Sequence, residues 1–221
     1  MDTPPISVVE TQLMLGQIHL DHGRLQDAFM MFEAAARSGE PRALNMLGRA
    51  YERGWGTACN PAAAAMYFHK AAYAGDPWAA FNLADLYMAG RGVAGDPDRA
   101  GDLYAMAARG GVAKALTMLG LLAEDGTCAM VSPRSAPLFF HAAAMGGDCW
   151  GALNLGRLHL ATGDGPAAAH WIRVALEQGF GDVFRAIIHL LNGVTDPALR
   201  LLATQAAGRL DHPPSRHATG S

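Results

Sequence analysis

The chain has 221 residues, 51% of them hydrophobic and 17% charged, with a formal net charge of −3. This composition excludes a disordered polypeptide, and the absence of any Lys/Arg run weighs against a nucleic-acid groove, which needs a basic stripe. Apolar residues are scattered at helical spacing and never approach the ~20 in a row that a membrane-spanning helix requires.

At the start of the chain, Met1–Glu10 has neither Lys nor Arg and no apolar signal core. Three cysteines, Cys59, Cys128 and Cys149, share no CxxC pair and no common repeat position. A disulfide framework or structural zinc site is not expected from them, and reduced thiols fit a cytoplasmic protein.

From Thr11 onward the chain repeats itself. Gly39, Gly75, Gly111 and Gly147 fall 36 residues apart, and Leu47, Leu83, Leu119 and Leu155 keep the same step, as do Ala64, Ala100 and Ala136. Self-similarity at such a period is the signature of a stacked solenoid, in which each unit buries its apolar face on its neighbours. Full-length units run 41–76, 77–112 and 113–148, with shorter ones at 11–40 and 149–182.

Each unit reads as a helix, a turn and a second helix. The first helix carries Leu followed by a small residue: Leu47-Gly48, Leu83-Ala84, Leu119-Gly120 and Leu155-Gly156. The leucine supplies burial, and its small neighbour lets a second helix approach closely. Glycines then stop it, at Gly54-Trp55-Gly56, Gly90-Arg91-Gly92 and Gly126-Thr127-Cys128. Asn60-Pro61, Asp96-Pro97 and Ser132-Pro133 restart the chain as second helices, an N-cap acceptor followed by proline. Their inner faces alternate small and large residues, as in Ala64…Tyr67-Phe68…Ala71-Ala72 and Ala136…Phe139-Phe140…Ala143-Ala144. Those residues are core. The spacing predicts one more, degenerate helix pair over 183–211 as a cap, and a disordered tail over 212–221.

The string Ala…Leu-Gly…Tyr…Gly-x-Gly…Asp-Pro…Ala…(Tyr/Phe)…Ala-Ala…Gly, with its 36-residue step, resembles the Sel-one-like repeat (SLR) family, kin of the tetratricopeptide repeat. The resemblance covers 11–182 and implies an all-α, right-handed superhelical solenoid of about five hairpins that acts as an adaptor or scaffold without catalysis. Unit 113–148 departs from the pattern, with Ala123 for the tyrosine, Cys128 for the second loop glycine and Ser132 for the aspartate.

In that class the first helices line the concave face, so their positions outside the Leu, Gly and Tyr slots are the candidate groove. Five before each leucine stand Arg42, Trp78, Lys114 and Trp150; two before, Asn45, Phe81, Thr117 and Leu153. Immediately before come Met46, Asn82, Met118 and Asn154; two after, Arg49, Asp85, Leu121 and Arg157. Trp78 with Phe81, and Trp150 with Leu153, are three apart on one helical face and read as apolar anchors. Asn82 and Asn154 can both donate to and accept from a peptide backbone. Arg42, Arg49, Lys114 and Arg157 add positive charge that would select an acidic partner segment.

Two other signals are set aside on physical grounds. Gly90-Arg91-Gly92-Val93-Ala94-Gly95 matches GxGxxG, but that motif needs a preceding strand, and here it follows a helix inside a repeat. The nine histidines show no HExxH or paired spacing. No cofactor, metal, catalytic group, nucleic-acid contact or small-molecule substrate is expected. The leading expectation is a cytoplasmic, non-enzymatic adaptor that binds another protein. An accessory subunit docking through its convex face or cap (Met30, Arg99 or 183–191) is the alternative, and an enzyme or metal-binding protein ranks last.

Overall fold

A computed structural model of the chain describes residues 6–211. The expected tail, with His212 and His217, lies outside them. The described residues hold twelve α-helices and no strand, so the fold is an all-α solenoid of helix pairs. Two compact units make it up, one reaching to Val112 and including Thr127–Met130, the other comprising Ala113–Gly126 and Val131 onward. No helix among the described residues is long and apolar enough to cross a membrane.

The first unit stacks three helix pairs: α1 (Val8–Asp21) with α2 (Leu25–Ala36), α3 (Pro41–Arg53) with α4 (Pro61–Tyr73), and α5 (Pro77–Ala89) with α6 (Pro97–Arg109). The second unit pairs α7 (Ala113–Asp125) with α8 (Ala136–Met145), α9 (Cys149–Ala161) with α10 (Gly165–Gln178), and α11 (Gly181–Leu190) with α12 (Pro197–Asp211).

The Leu-Gly slot works as its chemistry demands. Leu47, Leu83, Leu119 and Leu155 are buried. A Cβ on Gly48 would lie 2.7 Å from the Phe68 ring, and one on Gly120 would lie 2.4 Å from Phe140. Glycine thus seats the aromatic ring of its own second helix against the backbone. Leu15 occupies the same slot in α1 yet is exposed.

Second helices begin where the sequence places them in two of three cases. The Asn60 side chain accepts from the Ala63 amide at 3.0 Å, and Asp96 from the Arg99 amide at 3.0 Å. Ser132 differs. Its side chain makes no cap bond, and Pro133–Ser135 forms a 3-10 turn before α8 opens at Ala136. The cause is Pro137, which has no N–H to donate back to Pro133, so the Ala136 amide takes that carbonyl instead and the turn tightens. In the preceding loop, Cys128 stands where the other units have a second glycine. Its sulfur packs on Gly101, 2.7 Å from where a Cβ would be, so a side chain there would displace the thiol.

Candidate functional site

Three of the groove rows reach the surface of the first helices and one does not. The row two before each leucine is buried throughout: Asn45 (6% exposed), Phe81 (3%), Thr117 (3%) and Leu153 (6%). Phe81 and Leu153 are therefore core residues and not exposed anchors. Phe81 lies edge-on to Trp78, ring centres 5.9 Å apart, and packs on Tyr104 at 5.5 Å. Leu153 belongs to the apolar cluster of the second unit.

The buried polar members of that row are tied to the cap of the next first helix. Asn45 donates to the Asp76 carboxylate at 3.2 Å, and Asp76 accepts from the Ala79 amide at the start of α5 at 2.7 Å. Asn82 in turn donates to the Asn45 carbonyl oxygen at 3.0 Å. In the second unit the Thr117 hydroxyl donates to Asp148, which accepts from the Gly151 amide at the start of α9 at 3.0 Å. These bonds satisfy polar groups that burial would otherwise penalise. Burial pushes the Asp76 carboxyl above its ordinary value, against the opposing pull of the Ala79 and Trp78 amides.

On the first unit the outward-facing candidates are Arg42, Arg49 and Trp78, with Asn82 and Asp85 half-buried beside them. Trp78 is 51% exposed. Arg49 turns sideways, its guanidinium 5.2 Å from the centre of the Trp55 ring and its Nη1 3.6 Å from the Met46 sulfur. Burial and neighbouring Arg53 lower its pKa from the ordinary arginine value. Asp85 accepts from the fully buried Tyr104 hydroxyl at 2.6 Å. Its carboxylate is thus part of the helix pair's internal bonding.

On the second unit the face is apolar. Thr117, Met118, Leu121, Trp150 and Asn154 line a recess of about 200 Å³, with Lys114 at its edge. Asn154 donates to the Trp150 carbonyl at 3.0 Å and accepts from Arg157 Nε at 3.2 Å. Arg157 also pairs with Glu124. Thr117, Met118 and Leu121 complete this site, and the sequence signal for them is the same register that placed Lys114 and Trp150.

Comparison with known proteins agrees with this architecture. The Sel1 repeat model matches residues 41–76, 79–112 and 113–148. A Sel1 repeat protein from Oxalobacter formigenes is similar in structure, with a TM-score of 0.76 at 24% identity, over 92% of this chain and 87% of that one. The protective antigen c5321 of uropathogenic Escherichia coli, which displays an SLR fold, gives 0.71 at 25% identity, over 91% of this chain and 46% of that one. Immunity protein Pa5087 from Pseudomonas aeruginosa gives 0.62 at 18% identity, over 94% and 83%. No curated protein matches the chain. With its leucine–glycine slots, capped second helices and three matched repeats, the chain carries a run of three Sel1 repeats within a solenoid of the SLR fold.

Proposed function

We propose that the chain is a non-catalytic adaptor that holds a segment of another protein on the outward faces of its first helices. The observation that carries this reading is the recess beside Trp150, an apolar hollow with a lysine at its edge. Its about 200 Å³ suits one bulky apolar side chain. Lys114 favours a carboxylate next to that side chain, and tryptophan is a residue type enriched at binding hot spots. Trp78, with Arg42 in the equivalent slot to Lys114, offers a second anchor on the first unit. Asn82 and Asn154 hold these faces in shape, and their remaining hydrogen-bonding capacity is available to a backbone. The three free thiols fit a cytoplasmic setting.

A selection of displayed random peptides against the purified chain tests the reading. Enriched sequences should pair a bulky apolar residue with an acidic one and lose binding to Trp150→Ala and Lys114→Glu. Enriched peptides that bind both variants as well as the parent would overturn it.

A second reading, docking through the second helices, draws on Met30 and Met66. They share a repeat slot 36 residues apart, and both are exposed. The cap is less suited, because α11 turns Val183, Phe184 and Ile187 into the core.

A further inference from the structure

Successive repeats of the first unit share one backbone frame but fill it differently. At the 36-residue step, Phe29 of α2 aligns with Ala65 of α4, and Tyr51 of α3 aligns with Tyr87 of α5. The loops that follow these first helices approach the chain in the same way. A Cβ on Gly56 would lie 2.4 Å from the Leu25 carbonyl oxygen, and one on Gly92 would lie 2.4 Å from that of Pro61, the aligned residue. In the earlier repeat the Phe29 ring sits edge-on to Tyr51, ring centres 5.5 Å apart and planes at 89°. In the later one Ala65 ends at its Cβ, and a hollow of about 330 Å³ remains. Ala65, Leu83, Tyr87 and Val93 line it, with exposed Met66 and His69 at its edge. One repeat further on the slot holds Gly101, and the buried Cys128 sulfur lies 2.7 Å from where a Cβ would be. The same slot is thus filled on either side of the hollow.

We propose that this hollow receives a phenylalanine side chain of a partner protein, in the place that Phe29 takes one repeat earlier. Tyr87 offers the edge-to-face contact that Tyr51 gives Phe29, and the Met66 thioether suits the edge of an aromatic ring. A cavity of about 150 Å³ already admits benzene, so the volume accommodates the ring. The ring does not come from the ends of this chain, because all eight of its phenylalanines fall among the described residues. Of these only Phe180 is exposed.

A protein segment fits better than a free aromatic molecule because the apolar surface continues past the hollow. Met66, His69 and Tyr73 are three and four apart along α4, and the Tyr73 and His69 ring centres are 4.5 Å apart. Met66 and Tyr73 are each 62% exposed. A phenylalanine with apolar neighbours in its own chain covers this strip as well, whereas a free ring leaves it in water. None of the first-helix groove residues takes part, so this site and the adaptor reading of those faces stand or fall separately.

Nuclear magnetic resonance of the chain with isotope-labelled methionine methyls reads occupancy at Met66. The probes are a short peptide with one phenylalanine flanked by leucines, the same peptide with leucine in that place, and N-acetylphenylalanine amide. The phenylalanine peptide should shift the Met66 signal through its ring current and bind about 10-fold tighter than the other two. Ala65→Phe supplies the ring from within, so it should keep or raise the melting temperature and abolish the shift. Val93→Glu puts a charge into the hollow and should abolish the shift with the fold unchanged, while Phe180→Ala should bind as the parent does. No shift with the phenylalanine peptide, equal binding by the leucine peptide, or amide binding as tight as the peptide's would each overturn the proposal. So would an Ala65→Phe variant that unfolds, or binding that survives in Ala65→Phe or Val93→Glu. A Met66 signal that moves with the chain's own concentration, and stops doing so in Phe180→Ala, would overturn it in favour of a second copy.

Discussion

Asn45 donates to Asp76 across 31 residues of sequence, and through that bond one first helix holds the cap of the next. Thr117 and Asp148 repeat the relationship at the same spacing in the other unit. Replacing Asn45 with Leu should cost about 1–3 kcal/mol, the range for leaving a buried acceptor unmet. Asp76→Ala should cost a comparable ~1 kcal/mol or more from loss of the N-cap. Urea unfolding of both single variants and the double variant should show coupling, because the two changes remove one shared network.

The same carboxyl gives a pH signature. Asp76 has its pKa raised by burial, so the native state binds the proton more tightly than the unfolded chain does. Protonation there favours the fold, and the contribution of this group to stability is lost as pH rises from 3.8 through the raised value. The stability of the parent minus that of Asp76→Asn should fall across that window and level off above it. A difference that rises with pH would contradict the assignment.

Gly120 tests the close approach of helix pairs. A methyl group there would sit 2.4 Å from the Phe140 ring, inside any permitted contact. Gly120→Val should destabilise by about 1–3 kcal/mol or more through overpacking. Phe140→Leu in the same chain should recover part of that loss, measured as a shift of the denaturation midpoint.

Tyr104 is buried with its hydroxyl on Asp85, and burial beside that carboxylate drives its pKa far above the usual phenol range. Tyr104→Phe should cost about 1.5–3 kcal/mol, the range for a hydrogen bond to a charged group. Leu83→Ala, at a site 2% exposed, should cost about 2–5 kcal/mol as a core cavity. Trp78→Ala, by contrast, should leave thermal stability nearly unchanged, since half the ring is already in water.

The fold was legible because the repeat states each packing rule several times. Leu47, Leu83, Leu119 and Leu155 recur with a small neighbour, and each is buried. The candidate face was legible only in part. Register alone treats Phe81 and Leu153 as equals of Trp78 and Trp150, because all four stand outside the leucine slot. Three dimensions separate them: the row two before the leucine turns inward, whereas in the row five before it Arg42, Trp78 and Lys114 are exposed and Trp150 is half-buried against the apolar cluster of the second unit. Asn45 and Thr117 differ in chemistry, so their common role at Asp76 and Asp148 is hidden in sequence and plain from the bonds. The delayed start of α8 depended on Pro137, a residue that the Ser132-Pro133 signal overrode. Leu15 fits its slot by sequence, yet it is exposed on α1.

Affinity capture from source-cell lysate, comparing the parent chain with a Trp78→Ala/Trp150→Ala variant of confirmed fold, bears most directly on the adaptor reading. The adaptor reading expects a protein retained by the parent and lost by the variant, with an apolar residue beside an acidic one in the bound segment. Equal retention by both would contradict a role for the first-helix faces and move the contact to the second helices around Met30 and Met66.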